Sequence, residues 1–155
     1  TDGMAYPPSF GRQVGHLARL WRTELDNRLR PLGLSQARWL LLVHLHEAPE
    51  DGMAQLDLAE RAGVTGPTLV RQIDQLEKAG LVNRREDQQD RRVKRVRLTA
   101  LGEAKFHVVD EIATSLRQEV LSDADAAELQ AADALTRRLI ARFETLAKAP
   151  AEEIA

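Results

Sequence analysis

The sequence predicts a mainly α protein with a small β-hairpin. Three observations carry this expectation. Aromatic residues make up only 4% of a 155-residue chain that is 43% hydrophobic. The core must then come mainly from Leu, Val and Ala, which favours packed helices over a β-sandwich. Apolar residues recur at three- and four-residue steps through most of the chain. The exception is Thr65 to Thr99, where a helix gives way to two short extended runs around a polar, Asp-rich tip.

Residues 1–8 are expected to be poorly ordered. Val14, Leu17, Trp21, Leu25 and Leu29 then mark a helix over 9–30. Ser9 is its expected N-cap, and Pro31 ends it because the ring clashes with the preceding turn. This stripe is longer than one small domain needs. Ser35 caps a second helix over about 36–46. There Trp39, Leu40, Leu42, Val43 and Leu45 are apolar around more than one face, as in a buried helix. Residues 49–52 read as a loop. A short helix from Leu56 to Ala62 stops at Gly63, a common residue just past a helix end. Val64-Thr65 turns the chain, and the next helix starts at Pro67, whose missing N–H costs nothing at the first helical position. Two short helices around a Gly-containing turn form the helix-turn-helix pattern. Leu69, Ile73 and Leu76 would be buried, with Thr68, Arg71, Gln72 and Gln75 on the opposite side.

After Gly80, Leu81 and Val82 begin a strand, Glu86 to Asp90 form the tip, and Val93, Val96 and Leu98 mark the returning strand. Thr99 caps a long helix over about 100–121, striped by Phe106, Val109, Ile112, Leu116 and Val120. Residues 122–125 resemble a capping box for a last helix. There Leu129, Ala132, Leu135, Leu139, Phe143 and Leu146 form a seam over about five turns, and a seam of that length wants a partner helix. Residues 149–155 are expected to fray. The organisation is nested: a winged helix-turn-helix unit at 35–99, flanked by N- and C-terminal dimerisation helices at 9–34 and 100–148. A homodimer through those helices is the economical account of their surplus apolar surface.

Net charge is −2, but it is unevenly spread. Residues 61–97 hold 10 Lys/Arg against 5 Asp/Glu, while 1–60 hold 6 against 8 and 98–155 hold 6 against 11. Positive charge is therefore gathered in the central stretch, where a local patch matters more for phosphate binding than the sum over the chain. A solvated charged face would also account for a charge run alone. Cysteine is absent, so there is no disulfide framework and no thiol switch. No apolar run approaches the ~18 residues of a bilayer span, and no signal peptide is visible. The expected setting is the cytoplasm, with no membrane partner.

A helix followed by a basic hairpin is suited to touching double-stranded DNA in two grooves. The major groove admits a helix, and Arg71 is the candidate base reader, since a guanidinium donates two parallel hydrogen bonds to guanine. Thr65, Pro67, Thr68 and Gln72 stand around it, and the helix N-terminus presents N–H groups to phosphate. At the tip, Arg92 suits the minor groove, where narrow A·T-rich DNA concentrates negative potential. Asp90 can hold that arginine by a charge-assisted bond. Arg91, Lys94 and Arg95 would serve phosphates. An exposed turn carrying arginines for solubility is the plainer alternative.

The run LEKAGLVNRREDQQDRRVKRVRLTALGE, Leu76 to Glu103, resembles the signature of the MarR family of bacterial transcription regulators. GPTLVRQIDQLEKAGL and LWRTELDNRLRPLGLSQARW are similar to its SlyA branch in particular. The resemblance covers about residues 10–147. It implies an obligate homodimer with interlocked terminal helices, binding pseudo-palindromic operators as a repressor or activator. It also implies release by a small aromatic carboxylate or phenolic effector held between the dimerisation helices and the DNA-binding unit. Arg19 could pair with a ligand carboxylate, with Trp39 and Val43 as apolar walls. Equally, Trp39 fits a core tryptophan and Arg19 a surface or intersubunit ion pair.

Nothing points to an enzyme: there is no nucleophile–base pairing, no phosphate-cradling glycine loop and no metal motif. His16, His44, His46 and His107 lack a tight ligand spacing. No cofactor is expected. Two alternatives to a ligand-gated regulator remain: an architectural or anti-silencing DNA-binding protein without a ligand, and a helical protein–protein adaptor.

Overall fold

The computed structural model describes residues 7–148, and its elements follow the chemistry of their ends. Expectations for residues 1–6 and 149–155 lie outside the described residues. Pro7 accepts the Phe10 N–H at 3.0 Å in the turn that leads into helix α1, Phe10–Leu29. Ser9 stands at the N-cap, but its backbone is already helical and its hydroxyl caps no N–H. It accepts instead from the Gln13 side chain at 3.3 Å. Pro31 does not stop the chain abruptly. Arg30–Leu32 continue as a 3-10 turn, whose start tolerates a residue without an N–H.

Helix α2, Gln36–Glu47, is capped as expected, with Ser35 accepting from the Arg38 N–H at 3.3 Å. Strand β1, Met53–Ala54, leads into α3, Gln55–Ala62. Gly63 takes the left-handed conformation at φ 67°, which an L side chain resists, and so turns the chain towards α4, Gly66–Lys78. Pro67 lies at the second helical position of α4 rather than the first, where an N–H is equally dispensable. Strands β2, Val82–Glu86, and β3, Lys94–Leu98, follow. Helix α5, Ala100–Val120, begins at Thr99, whose hydroxyl accepts from the Gly102 N–H at 3.0 Å and donates to the Gly80 carbonyl at 2.6 Å. That residue therefore joins the end of α4 to the start of α5. Helix α6, Ala126–Lys148, opens on a reciprocal box: Asp125 accepts the Glu128 N–H at 2.8 Å, and Glu128 accepts the Asp125 N–H at 3.1 Å.

The hairpin has a third strand. The sheet order is β1-β3-β2, all antiparallel, with Met53 opposite Val96 and Val82 opposite Leu98. Gly52, just before β1, has φ +87°, and a Cβ there would collide with the Val96 carbonyl. Only glycine lets the loop come this close to β3.

The chain divides at Leu116 into two compact units. In the first, Leu25 and Leu29 of α1, Leu41, Leu42 and Leu45 of α2, and Leu58 of α3 are buried. So are Leu69, Ile73 and Leu76 of α4, Val82 and Val96 of the sheet, and Phe106, Val109 and Leu116 of α5. These form one cluster, so the last turns of α1 and most of α5 share the core of the helix-turn-helix. His46 at the end of α2 stacks on Phe106 with ring centroids 4.0 Å apart, and its Nδ1 lies 2.8 Å from Glu103 of α5. The N-terminal half of α1 is different: Phe10, Val14, Leu17 and Leu20 are exposed. In the second unit, α6 by itself carries Leu129, Leu135, Ile140, Phe143 and Leu146 exposed. No helix among the described residues is long and apolar enough to cross a membrane.

Candidate nucleic-acid interface

Helix α4 has two faces. Leu69, Ile73 and Leu76 bury one of them. On the other, Arg71 is exposed and makes no hydrogen bond or ion pair among the described residues. Pro67 is exposed, and Thr68 and Gln72 are half-buried. Thr65 is used locally: its hydroxyl accepts the Thr68 N–H at 3.4 Å and donates to the Thr68 hydroxyl at 3.0 Å. Both threonines thus hold the start of α4 in place. Gln75 is not left open on this side; Arg38 of α2 donates to it and also to the Gly33 carbonyl.

At the wing tip, the Arg92 guanidinium donates to both Asp90 carboxylate oxygens, each at 3.1 Å, and the Arg92 N–H donates to the same group at 3.0 Å. The Asp90 carboxyl is held below its ordinary value, first by the Arg92 side chain and then by its N–H. The arginine is fixed at its root and still 90% exposed. Arg91 is exposed with no partner among the described residues. Lys94 faces Glu86 across the strand pair, 3.6 Å away.

Arg95, expected to serve phosphate, is engaged within the protein. Its guanidinium turns back onto the Gly52 carbonyl at 2.7 Å and Asp87 at 3.3 Å, and is only 23% exposed. A second inward arginine was not foreseen. Arg84 of β2 bridges Asp74 and Glu77 of α4, and its N–H donates to Glu77 at 3.1 Å. The Arg84 side-chain bond holds the Glu77 carboxyl below its ordinary value. The wing is therefore tied to the helix beside it. Gly66, Leu69 and Val70 of α4 line one cleft of about 270 Å³ with Arg92, Val93 and Lys94 of the wing and Gln55 of α3. The start of α4 and the tip end of the wing thus share a face.

The expected ligand residues lie elsewhere. Arg19 is exposed on α1, with no ionic partner among the described residues. Trp39 and Val43, one turn apart on α2, are half-buried and pack on the core. The Trp39 indole N–H is buried without an acceptor among the described residues. No group of three or more His, Cys, Asp or Glu fit to hold a metal ion occurs among the described residues.

Comparison with known proteins adds the following. The MarR family profile matches residues 34–94. The crystal structure of transcriptional regulator PA3341 is 41% identical, with 88% of this chain and 98% of that chain covered and a TM-score of 0.78. AbsC, a MarR family transcriptional regulator from Streptomyces coelicolor, is 26% identical over 86% of this chain and 91% of its own, with a TM-score of 0.79. An E. coli MarR mutant complexed with operator DNA shares the fold at 23% identity, 85% and 94% coverage and a TM-score of 0.77.

Proposed function

Because the chain belongs to the MarR family of transcriptional regulators, we propose that it binds a pseudo-palindromic operator as a homodimer, reading the major groove with α4 and the minor groove with the wing. One observation carries this reading: Arg71 and Arg92 stand exposed on neighbouring elements, and among the described residues the first has no protein partner and the second is braced only by Asp90. A cation left open to solvent beside a helix N-terminus is suited to phosphate and base edges. Arg71 reads bases with Thr65, Pro67, Thr68 and Gln72 around it. Arg92 enters the minor groove, and Arg91 and Lys94 serve phosphates.

The exposed apolar side chains of α1, and separately those of α6, supply the homodimer's contact surface. Two-fold symmetry would then present the recognition helices to half-sites about 34–36 Å apart. The likeness of the 66–81 run supports a reading within the SlyA-like branch. A small aromatic carboxylate or phenol acts as effector at Arg19, Trp39 and Val43, which is supported by the indole N–H that lacks an acceptor among the described residues. It lowers operator affinity by favouring the geometry that mismatches the half-sites. The setting is the cytoplasm, with the chromosome.

The test is an operator gel shift with DNA from upstream of the coding region. Arg71→Ala and Arg92→Ala should each greatly weaken binding while the dimer stays folded. An adaptor would bind its partner without DNA and be indifferent to one of these changes. Salicylate-like and phenolic acids should stabilise the dimer and release the DNA; if none does both, the ligand-independent reading replaces the gated one.

A further inference from the structure

Asp87 puts a negative charge into the segment that must approach phosphate. A surface shaped by electrostatics alone would omit it. Its two oxygens are divided between two tasks. Oδ2 takes Arg95 Nη1 at 3.3 Å. Oδ1 accepts the Gln89 N–H at 2.7 Å and the Asp90 N–H at 3.2 Å, a turn held by its own side chain. The carboxyl sits below its ordinary value, first because of those two N–H groups and then because of Arg95. Arg95 in turn is anchored to the sheet's first loop: Nη2 donates to the Gly52 carbonyl at 2.7 Å, Nε to the Asp51 carbonyl at 3.4 Å, and Nη2 lies 3.4 Å from the Asp51 carboxylate. All three guanidinium nitrogens are engaged. From Asp90 the path continues to Arg92.

We infer that Asp87 and Arg95 are positioning residues for Arg92, joining the loop at Asp51-Gly52 to the tip and fixing the turn from which Asp90 presents the arginine. Neither needs to touch DNA. This rests on the reading of Arg92 as a DNA contact. The connection spans the loop before β1, strand β3 and the wing tip, so the tip is held by the body of the winged unit rather than by its own turn alone. An arginine presented in one geometry loses less freedom on entering a groove than one on a loose loop.

The experiment compares Asp87→Ala, Asp87→Asn and Arg95→Gln in the wild-type and Arg92→Ala backgrounds. Fluorescence anisotropy follows each protein on an operator selected from random duplex DNA, with a thermal melt of each alongside. Simple electrostatics says that removing Asp87 tightens binding. The positioning account says that Asp87→Ala weakens it about tenfold, a coupling of ordinary size for linked groups. Asp87→Asn keeps an acceptor for the turn and weakens it less. Arg95→Gln weakens it and relaxes the A·T preference where the wing sits. In the Arg92→Ala background, Asp87→Ala no longer weakens binding. Tighter or unchanged binding by Asp87→Ala in the wild-type background overturns the inference. So does equal weakening in both backgrounds, which would mark general damage to the fold. Wild-type affinity in Arg92→Ala alone would instead overturn the DNA reading of the wing, and the inference with it.

Discussion

An arginine carries five donors and no acceptor, so its role in this chain depends on what its neighbours offer. Arg84 meets two carboxylates of α4, and Arg95 meets a carbonyl and Asp87. Both hold the wing together. Arg71 and Arg91 meet nothing among the described residues, which leaves them for a partner. Sequence composition treats all four alike, because the direction of a side chain on a strand depends on register. The Asp90–Arg92 pair was legible because its members are two residues apart. The Asp87–Arg95 and Glu77–Arg84 pairs join positions on different elements and became visible only with the fold. Arg71→Ala should flatten base preference at its contacted position by about 1–3 kcal/mol. Arg91→Ala should weaken binding evenly across sequences and reduce the salt slope by about 1. Anisotropy on variant operators at several salt concentrations separates the two patterns. Glu77 has a lowered folded pKa, so its stabilising contribution is fully present above the ordinary glutamate value and is lost as pH falls through the lowered one. The stability gap between wild type and Glu77→Gln should therefore hold at neutral pH and close in acid, as urea unfolding from about pH 7 to about pH 3 would show.

The helices were legible in sequence because their signals are local: apolar spacing, and caps at Ser35, Thr99 and Asp125. Ser9 shows the limit of that logic. A serine at the right position caps nothing when its own backbone is already helical. Strand β1 was not legible, since two residues carry no alternation and their partners on β3 lie far along the chain. Gly52 belongs to the same long-range contact. Read alone, it is one residue of a loop; in the fold it lies against the Val96 carbonyl. Gly52→Ala should combine a left-handed penalty of about 1–2 kcal/mol with a steric clash. Its urea midpoint should fall clearly, and operator binding should weaken as the Arg95 anchor shifts. An unchanged midpoint would mean that the loop does not pack on β3 as described.

Across the whole chain, a net charge of −2 conceals a net-positive centre between acidic flanks. Two copies of that centre at a fixed spacing would make a reader of palindromes, and operator affinity would fall steeply with salt as phosphate counterions are released. The exposed apolar residues of α1 and of α6 are the surface such a pairing needs, and sedimentation of the purified protein should give twice the chain mass. The most direct test of the central claim is selection from random duplex DNA by the purified protein, followed by salt titration on the winning sequence. The account predicts an imperfect palindrome with half-sites about one helical turn apart, bound with a steep linear fall of log affinity against log salt. Recovery of no common sequence, with affinity indifferent to salt, would contradict it.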